Sequence, residues 1–557
     1  MSTKRLELTW IGKEHRPRLE PRILLEDAEL SYHAAERVTD QDIFDNRLIF
    51  GDNLLALKAL EQEFAGKVKC IFIDPPYNTG SAFAQYDDGV EHSIWLSMMR
   101  DRLLLLHALL SEQGSLFVTL DDNELHYFKV MADEVFGRSN FVASVSWMKR
   151  TSPANDAKYL SSDHDTILIY SKNKPLWRPV KLSRGEAQDS YYKNPDNDPR
   201  GAWNSVTYTG NKNRLERPNL WYGIENPTTG EKCFPPESLT WRYSQDRHEQ
   251  NVRENLLYWG KDGRSLAPRL KMFLTEAKDL VPRSVWLAAD VGSTQSSMTE
   301  QKLLFDTPFA TPKPETLLER IISIASVEGD LVLDSFAGSG TTGAVAQKMG
   351  RRWIMVELGE HCHTHIIPRL KKVIDGTDQG GISQSVGWKG GGGFRYYRLA
   401  PSLLRRDKYG QWIINECYNA EMLAEAMCKH MGFSYDPSDE TYWIHGCSTE
   451  TDFIYVTTQT LSHDALAHLS EEVGEKRTLL VCCSAWTGSS SSFSNLTLQK
   501  IPNAILHKCE FGHDDYSLTV QNLPMRADEP PEATTRIPQK PSANGNLFDA
   551  PEDEVRP

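Results

Sequence analysis

Short apolar runs alternate along this chain with stretches of helical spacing, and the alternation predicts most of its elements. Leu48-Ile49-Phe50 reads as a strand, ends at Gly51-Asp52-Asn53, and leads into Leu54 to Phe64, where apolar residues recur every three or four positions. Cys70-Ile71-Phe72-Ile73 is the next strand, with a helix expected from Ile94 to Leu110. Gly114 to Leu120 precedes a helix over Leu125 to Phe136, and Val142 to Trp147 and Thr166 to Tyr170 are further strands. The pattern resumes with a helix from Pro314 to about Ser326, a strand at Leu331-Val332-Leu333, a helix from Gly343 to Met349 and a strand from Trp353 to Val356. Strands that are apolar on both faces and separated by helices build open, mostly parallel α/β sheets. Such sheets bind ligands beyond the C-terminal ends of their strands.

Elsewhere the texture differs. Residues 1–46 read as an extension with mixed charge and a short amphipathic helix. Between 172 and 305 loops dominate, and six of the chain's 14 Trp (Trp177, Trp203, Trp221, Trp241, Trp259 and Trp286) are interleaved with Arg and Lys. Most of these rings are expected in a small β-rich core and a minority at a nucleic-acid surface. Residues 401–526 alternate helix-like segments (Ala420 to Met431, Leu466 to Val473) with strand-like ones (Phe453 to Thr457, Thr478 to Cys483), suggesting a small α/β domain. From Ala527 onward Asp, Glu and Pro prevail, so 527–557 are expected to form a disordered acidic tail, with Leu547-Phe548 as a short docking element.

The first strand end with distinctive chemistry is Asp74-Pro75-Pro76-Tyr77-Asn78-Thr79-Gly80. Paired prolines continue neither a helix nor a ladder, and each holds the preceding residue extended. The stiff segment offers backbone carbonyls, the Asp74 carboxylate and the face of Tyr77, a set suited to a planar guest with an exocyclic amine. Two acceptors out of the ring plane favour a pyramidal amine and free its lone pair to attack an electrophilic methyl group. A base within a duplex is inaccessible in this way and would have to be flipped out. The loop 81–92, with Phe83 and Tyr86, has the length to close over such a base, and reads equally as a simple surface loop.

The second motif is Asp334-Ser335-Phe336-Ala337-Gly338-Ser339-Gly340-Thr341-Thr342, a glycine-rich turn between a buried strand and a helix. Its glycines allow close backbone approach and the helix start offers unpaired N–H groups. Glu357, at the end of the following strand, suits both hydroxyls of a ribose. Lys313 in Thr311-Pro312-Lys313-Pro314 suits a carboxylate, and Asp52 and Asn53 either cap their helix or meet an adenine or ribose edge. Gly338-x-Gly340-x-x-Gly343 alone also fits a dinucleotide-dependent dehydrogenase. Coupled to the Pro-Pro motif, the turn points instead to S-adenosylmethionine.

Composition changes this picture little. The net charge of −14 argues against nucleic acid, but Lys172 to Trp286 hold 20 Lys and Arg against 14 Asp and Glu, leaving the rest at −20. Nine scattered cysteines without a Cys-x-x-Cys pair suit free thiols in a reducing cytoplasm. No apolar run approaches the ~20 residues needed to span a bilayer, and no signal-peptide core follows the N-terminus. His361-Cys362-His363-Thr364-His365 is too tightly spaced for the usual zinc pattern, and no metal is expected.

Asp74 to Gly80, Gly114 to Glu124, Thr311 to Pro314, Asp334 to Thr342, Gly380 to Ile382 and Gly390 to Tyr397 together resemble the β class of amino-methylating DNA methyltransferases. Within it, the likeness is greatest to the modification (Mod) subunits of type III restriction–modification systems. The resemblance covers most of 45–525. It implies a Rossmann-like S-adenosylmethionine-dependent methyltransferase sheet with an inserted target-recognition domain and a small C-terminal α/β domain. The layout would be a catalytic half at 47–171, target recognition at 172–305, a cofactor half at 306–400, and dimerisation or partner docking at 401–526. Asp74, Pro75, Pro76 and Tyr77 would be catalytic. Asp52, Asn53, Lys313, Asp334, Phe336, Ala337, Gly338, Ser339, Gly340, Thr341, Thr342 and Glu357 would bind the cofactor. The implied product is N6-methyladenine in double-stranded DNA, and the implied partners are a second Mod copy and a restriction (Res) subunit. Cytosine-N4 methylation, and a non-catalytic DNA-binding homologue, remain alternatives.

Overall fold

The computed structural model describes residues 7–77, 88–185 and 189–517, without the side chains of 88–91. Asn78 to Gly80, the 81–87 part of the loop after them, and 518–557 with Leu547-Phe548 lie outside the described residues. In chain order the central layer and its helices are β1 (Leu24–His33), β2 (Asn46–Phe50), α1 (Asn53–Phe64), β3 (Val68–Ile73), α2 (Asp88–Leu109), β4 (Leu110–Leu120), α3 (Leu125–Ala132), β5 (Phe141–Met148), β6 (His164–Ser171) and β7 (Val285–Trp286). They continue with α4 (Thr294–Leu304), α5 (Glu315–Ala325), β8 (Leu331–Asp334), α6 (Thr341–Lys348), β9 (Arg352–Glu357), α7 (Ile367–Ile374) and β10 (Gly393–Leu399).

The strands form one ten-stranded sheet in the order β1-β10-β2-β9-β8-β3-β4-β6-β5-β7. From β10 to β4 every neighbouring pair is parallel, whereas β1 and β6 run against their neighbours. Strands β8 and β9, which arrive nearly three hundred residues later, are wedged between β2 and β3. Apolar cores fill both faces: Leu57, Leu60, Trp95, Leu103 and Phe128 of α1, α2 and α3 on one, and Leu317, Ile321, Val345 and Leu370 of α5, α6 and α7 on the other. This two-sided burial is why the strands read as continuous apolar runs rather than alternating ones.

Two expectations change. Leu24–His33 is not part of a loose extension but an edge strand paired antiparallel with β10 from Leu24↔Leu399 to His33↔Gly393. No helix occurs among the described residues of 7–46. The mixed polarity of Leu24–His33 suits an edge, where one side stays wet and charge discourages further pairing. Val285–Trp286, expected inside the inserted module, pairs in parallel with β5 and extends the main sheet.

The inserted segment has its own small sheets, the largest joining Leu257–Tyr258, Arg269–Phe273 and Trp203–Thr207. Of its tryptophans, Trp177, Trp203, Trp241 and Trp259 are buried, Trp241 and Trp259 in its own small core, while Trp286 is buried in the core of the main sheet. Trp221 is partly exposed, with the Arg214 guanidinium 4.1 Å over its ring. Near the C-terminus a five-stranded sheet packs helix Ala420–Met431 into a core shared with Ile23, Leu403 and Leu404, and helix His463–Val473 into a second core with Trp443, Leu479 and Val481.

Candidate active site

Strands β3 and β8 are neighbours, with Cys70 opposite Val332 and Ile71 opposite Leu333. Their C-terminal ends therefore set the Pro-Pro segment beside the glycine-rich turn, although 260 positions separate Asp74 from Asp334 in sequence. Trp95 Nε1 donates to the Pro76 carbonyl at 2.8 Å and braces the segment against α2. Among the described residues no donor meets the Pro75 carbonyl. The Asp74 carboxylate is engaged on both oxygens: Oδ1 accepts from the Tyr77 hydroxyl at 2.8 Å, and Oδ2 accepts from Lys313 Nζ. The Lys313 ammonium also lies 5.3 Å from the Tyr77 ring centroid. Burial, then the nearby charge of Asp74, holds the Tyr77 hydroxyl well above the ordinary phenol range, so it stays a donor.

In the turn after β8, Gly338 and Gly340 take φ values of 53° and 73°, which favour glycine. Both oxygens of Asp334 are bonded: Oδ1 accepts from Phe336 N at 2.9 Å and Oδ2 from the Thr342 hydroxyl at 2.5 Å. Burial pushes the Asp334 carboxyl up to about 7 against the lowering effect of these bonds, and the charges of Asp74 and Glu357 push the same way as burial. Arg369, fully buried on α7, ties the turn to the start of α5. It donates to Thr341 Oγ1 at 2.8 Å, to the Ser339 carbonyl at 3.2 Å and to Glu315 Oε1 at 2.9 Å.

Two cavities meet at Phe336. One, of about 170 Å³, is lined by Asp52, Asn53, Pro76, Arg102, Glu357 and Ser517 among others. The other, of about 110 Å³, is lined by Asp74, Thr311, Lys313, Asp334, Ser339 and Thr341 among others. Of the sequence-predicted site residues, all but Pro75, Tyr77 and Gly340 line one or other of these cavities, but several have different duties from those expected.

Asp52 is the cap of α1, with Oδ1 accepting from Leu54 N at 2.8 Å and Leu55 N at 3.1 Å. Oδ2 accepts from Arg102 at 3.2 Å and Tyr516 N at 2.9 Å, so all four lone pairs are engaged. It shapes the cavity wall and has no acceptor left for a ligand. Asn53 bridges Arg102 Nε at 2.5 Å and the Ser335 carbonyl at 2.7 Å, joining the two halves of the chain. Glu357 accepts from Gly338 N at 2.8 Å and from Leu358 N and Gly359 N at 2.9 Å, leaving room for one ribose hydroxyl rather than two. Lys313 pairs with Asp74 instead of standing free for a carboxylate. The three histidines diverge: His361 faces Glu357, His363 Nε2 is 2.9 Å from the Tyr396 hydroxyl, and His365 Nε2 is 3.0 Å from the Thr307 carbonyl.

The sequence reading missed Arg102, Arg369 and Tyr516. Arg102 carried a signal, because it lies on the buried stripe of α2 one turn after Met98, where a charge requires a partner. The other two carried none.

The Pro-Pro segment and the glycine-rich turn thus stand side by side on adjacent parallel strand ends of a wound sheet, with two small cavities between them. Residues 68–368, more than half of the chain, match the DNA methylase family, and the chain belongs to that family. It is 31% identical over 424 residues to the probable type III restriction-modification enzyme HindVI Mod subunit of Haemophilus influenzae, covering 67% of this chain and 56% of that one. Over 329 residues it is 34% identical to the type III StyLTI Mod subunit of Salmonella typhimurium, covering 53% and 49%. Identity to the type II methyltransferase M.EcaI of Enterobacter cloacae is 30% over 325 residues, covering 57% and 67%. The chain thus spans about half the length of the first two of these relatives. A solved structure, the PvuII cytosine-N4-specific DNA methyltransferase, aligns over 64% of this chain and 94% of its own at 14% identity, with a TM-score of 0.34.

Proposed function

We propose that this protein transfers a methyl group from S-adenosylmethionine to the N6 amine of an adenine flipped out of double-stranded DNA. In this reading it is the modification subunit of a type III-like restriction–modification system, working as a homodimer and alongside a Res subunit. The observation that carries the chemistry is the Asp74–Tyr77 segment beside the glycine-rich turn on neighbouring strand ends. Likeness to Mod subunits supports the biological setting.

The residues fit the cofactor. Arg102 and Lys313 are each paired with a carboxylate, Asp52 and Asp74, which leaves Asp334 and Glu357 on the cavity walls without a Lys or Arg of their own among the described residues, so a cationic ligand is favoured there. Gly338, Ser339 and Gly340 with the start of α6, together with Asn53, Phe336 and Glu357, would hold it, and when bound it supplies an electrophilic methyl group. The rest is the work of the chain. Tyr77 releases Asp74 Oδ1 when the base enters, and its ring stacks on the adenine. The amine then donates to Asp74 Oδ1 and to the Pro75 carbonyl while Lys313 keeps the carboxylate in place. Held by these two acceptors, N6 would become pyramidal with its lone pair free for the methyl group that the cofactor would give up from its sulfur, and Asp74 would take the proton that N6 sheds. Positioning of two reactants supplies much of the acceleration.

An exposed loop on the same side would meet the DNA in this reading. The loop 149–163 leaves the active-site end of β5 and is closed by Lys149 N to Asp163 O at 2.9 Å and Ala154 N to Ser161 Oγ at 2.7 Å. Its tip carries Tyr159 and Leu160, 84% and 89% exposed, next to Lys158. Single-molecule sequencing of DNA from a methylation-free host expressing the chain tests the proposal. Methyladenine at one short motif, absent with Asp74→Ala, is expected. Methylcytosine instead would move the assignment to cytosine N4, and no modified base would overturn it.

A further inference from the structure

The last described stretch, His513 to Ser517, does not stay with the C-terminal sheet but crosses to the cofactor crevice. Tyr516 donates its backbone N–H to Asp52 Oδ2 at 2.9 Å and accepts from Arg102 Nη2 on its carbonyl at 3.1 Å. Ser517 lines the same cavity as Asn53, Phe336 and Glu357. The stretch is also anchored from behind. Arg22 Nη2 donates to the His513 carbonyl at 3.2 Å and to Asp514 Oδ1 at 2.5 Å, and Arg22 Nη1 to the Ala400 carbonyl at 2.8 Å. Gly512 N donates to Ser402 Oγ at 2.8 Å. Residues 513–517 therefore form a strap with one end on the C-terminal region and the other on the wall of the crevice.

Behind the strap lies a much larger cavity, of about 610 Å³, between Ile11–Pro17 and Glu510–Ser517. It shares Met98, Arg102 and Ser517 with the smaller one. Without the strap, Asp52 Oδ2 and the fully buried Arg102 would each lose a partner, and the nucleoside cavity would open into this larger space. An open wall buries less of a ligand and leaves its polar edge to compete with water.

We infer that the 513–517 strap closes the cofactor pocket, with Tyr516 and Ser517 acting as positioning residues, so that cofactor affinity depends on how the C-terminal region is docked. A partner or second copy that shifts that region would change cofactor binding without touching the pocket itself. The inference rests on the cofactor reading proposed above, and its test separates the two.

The full-length protein is subjected to hydrogen exchange with and without S-adenosylmethionine. Added protection is expected both at the 334–342 turn and at 513–517. Protection of the turn with no change at 513–517 would overturn the strap and leave the cofactor reading intact; protection of neither would remove both. As a second measurement, Tyr516→Pro removes the N–H donor to Asp52 in the otherwise complete chain. The cofactor KM is expected to rise about tenfold while kcat and the KM for DNA hold. An unchanged cofactor KM, or an equal fall in kcat, would overturn the inference.

Discussion

Asp334 provides the sharpest quantitative test, because its carboxyl is buried with both oxygens bonded to neutral donors. Asn is nearly isosteric there. The amide oxygen can accept from Phe336 N, and the amide nitrogen can donate to Thr342 Oγ1 after its hydroxyl rotates. A folded-state value of about 7 against an ordinary 3.8 corresponds, at about 1.4 kcal/mol per unit, to roughly 4 kcal/mol opposing ionisation in the folded protein. The sign follows from linkage. The raised value favours the protonated form, so the wild type loses stability as pH rises from about 4 to about 7 and levels off above that. Asp334→Asn does not titrate and escapes this loss. The melting temperature of the variant relative to wild type is therefore expected to climb between pH 5 and pH 7 and then flatten, with ~4 kcal/mol as the upper bound of the underlying change. Cofactor binding moves the other way. A cationic ligand prefers the ionised carboxylate, so wild-type affinity is expected to fall about tenfold per pH unit below 7. Calorimetry in buffers of different ionisation heat should register uptake of close to one proton by the buffer at pH 6, and Asp334→Asn should bind more weakly with no such pH dependence. A melting difference that is flat across pH 5 to 8, or binding without proton release at pH 6, would refute the reasoning.

Asp74→Ala should abolish methylation while leaving cofactor affinity by calorimetry within about threefold, since the carboxylate is assigned to the amine; a large loss of cofactor binding would reassign it. Lys313→Gln should lower kcat by roughly 10- to 100-fold at an unchanged cofactor KM, because it holds Asp74. A raised cofactor KM with kcat intact would instead return Lys313 to the cofactor carboxylate. The exposed pair Tyr159→Ser with Leu160→Ser should leave the melting temperature alone and raise the KM for DNA several-fold. An unchanged KM would remove the 149–163 loop from the DNA face.

The site was legible in the sequence where its residues lie on one strand end. The apolar runs at 70–73 and 331–334 announce buried parallel strands, and the polar turns after them are where such sheets bind ligands. Which ends meet was not legible from spacing, because the order of strands depends on non-local pairing. The duties of individual side chains were hidden for the same reason. Whether Asp52 caps a helix or meets a ligand is decided by Arg102 and Tyr516, which approach from distant parts of the chain, and the Lys313–Asp74 pair spans the two halves. The strand Leu24–His33 escaped notice because at a sheet edge its polarity follows from its single neighbour β10, which its own periodicity does not reveal.

The wedging of β8 and β9 between β2 and β3 also sets an order of assembly. The first half cannot close its sheet on its own, because β2 and β3 have no hydrogen bonds to each other and the strands that join them lie beyond residue 330. During synthesis β2 and β3 must wait, with apolar strands uncovered, while the inserted segment is made, a topology of long-range pairing that folds slowly. The insertion, however, leaves the sheet at β6 and returns at the β7 edge, with β3 and β4 between it and the late strands. A change of sequence within 172–284 therefore reaches the strands that finish the site only through side contacts such as Val180 N to Ile324 O at 2.9 Å and Leu182 against the main core. Most of the inserted segment thus lies outside the hydrogen-bonded frame of the strands that finish the crevice.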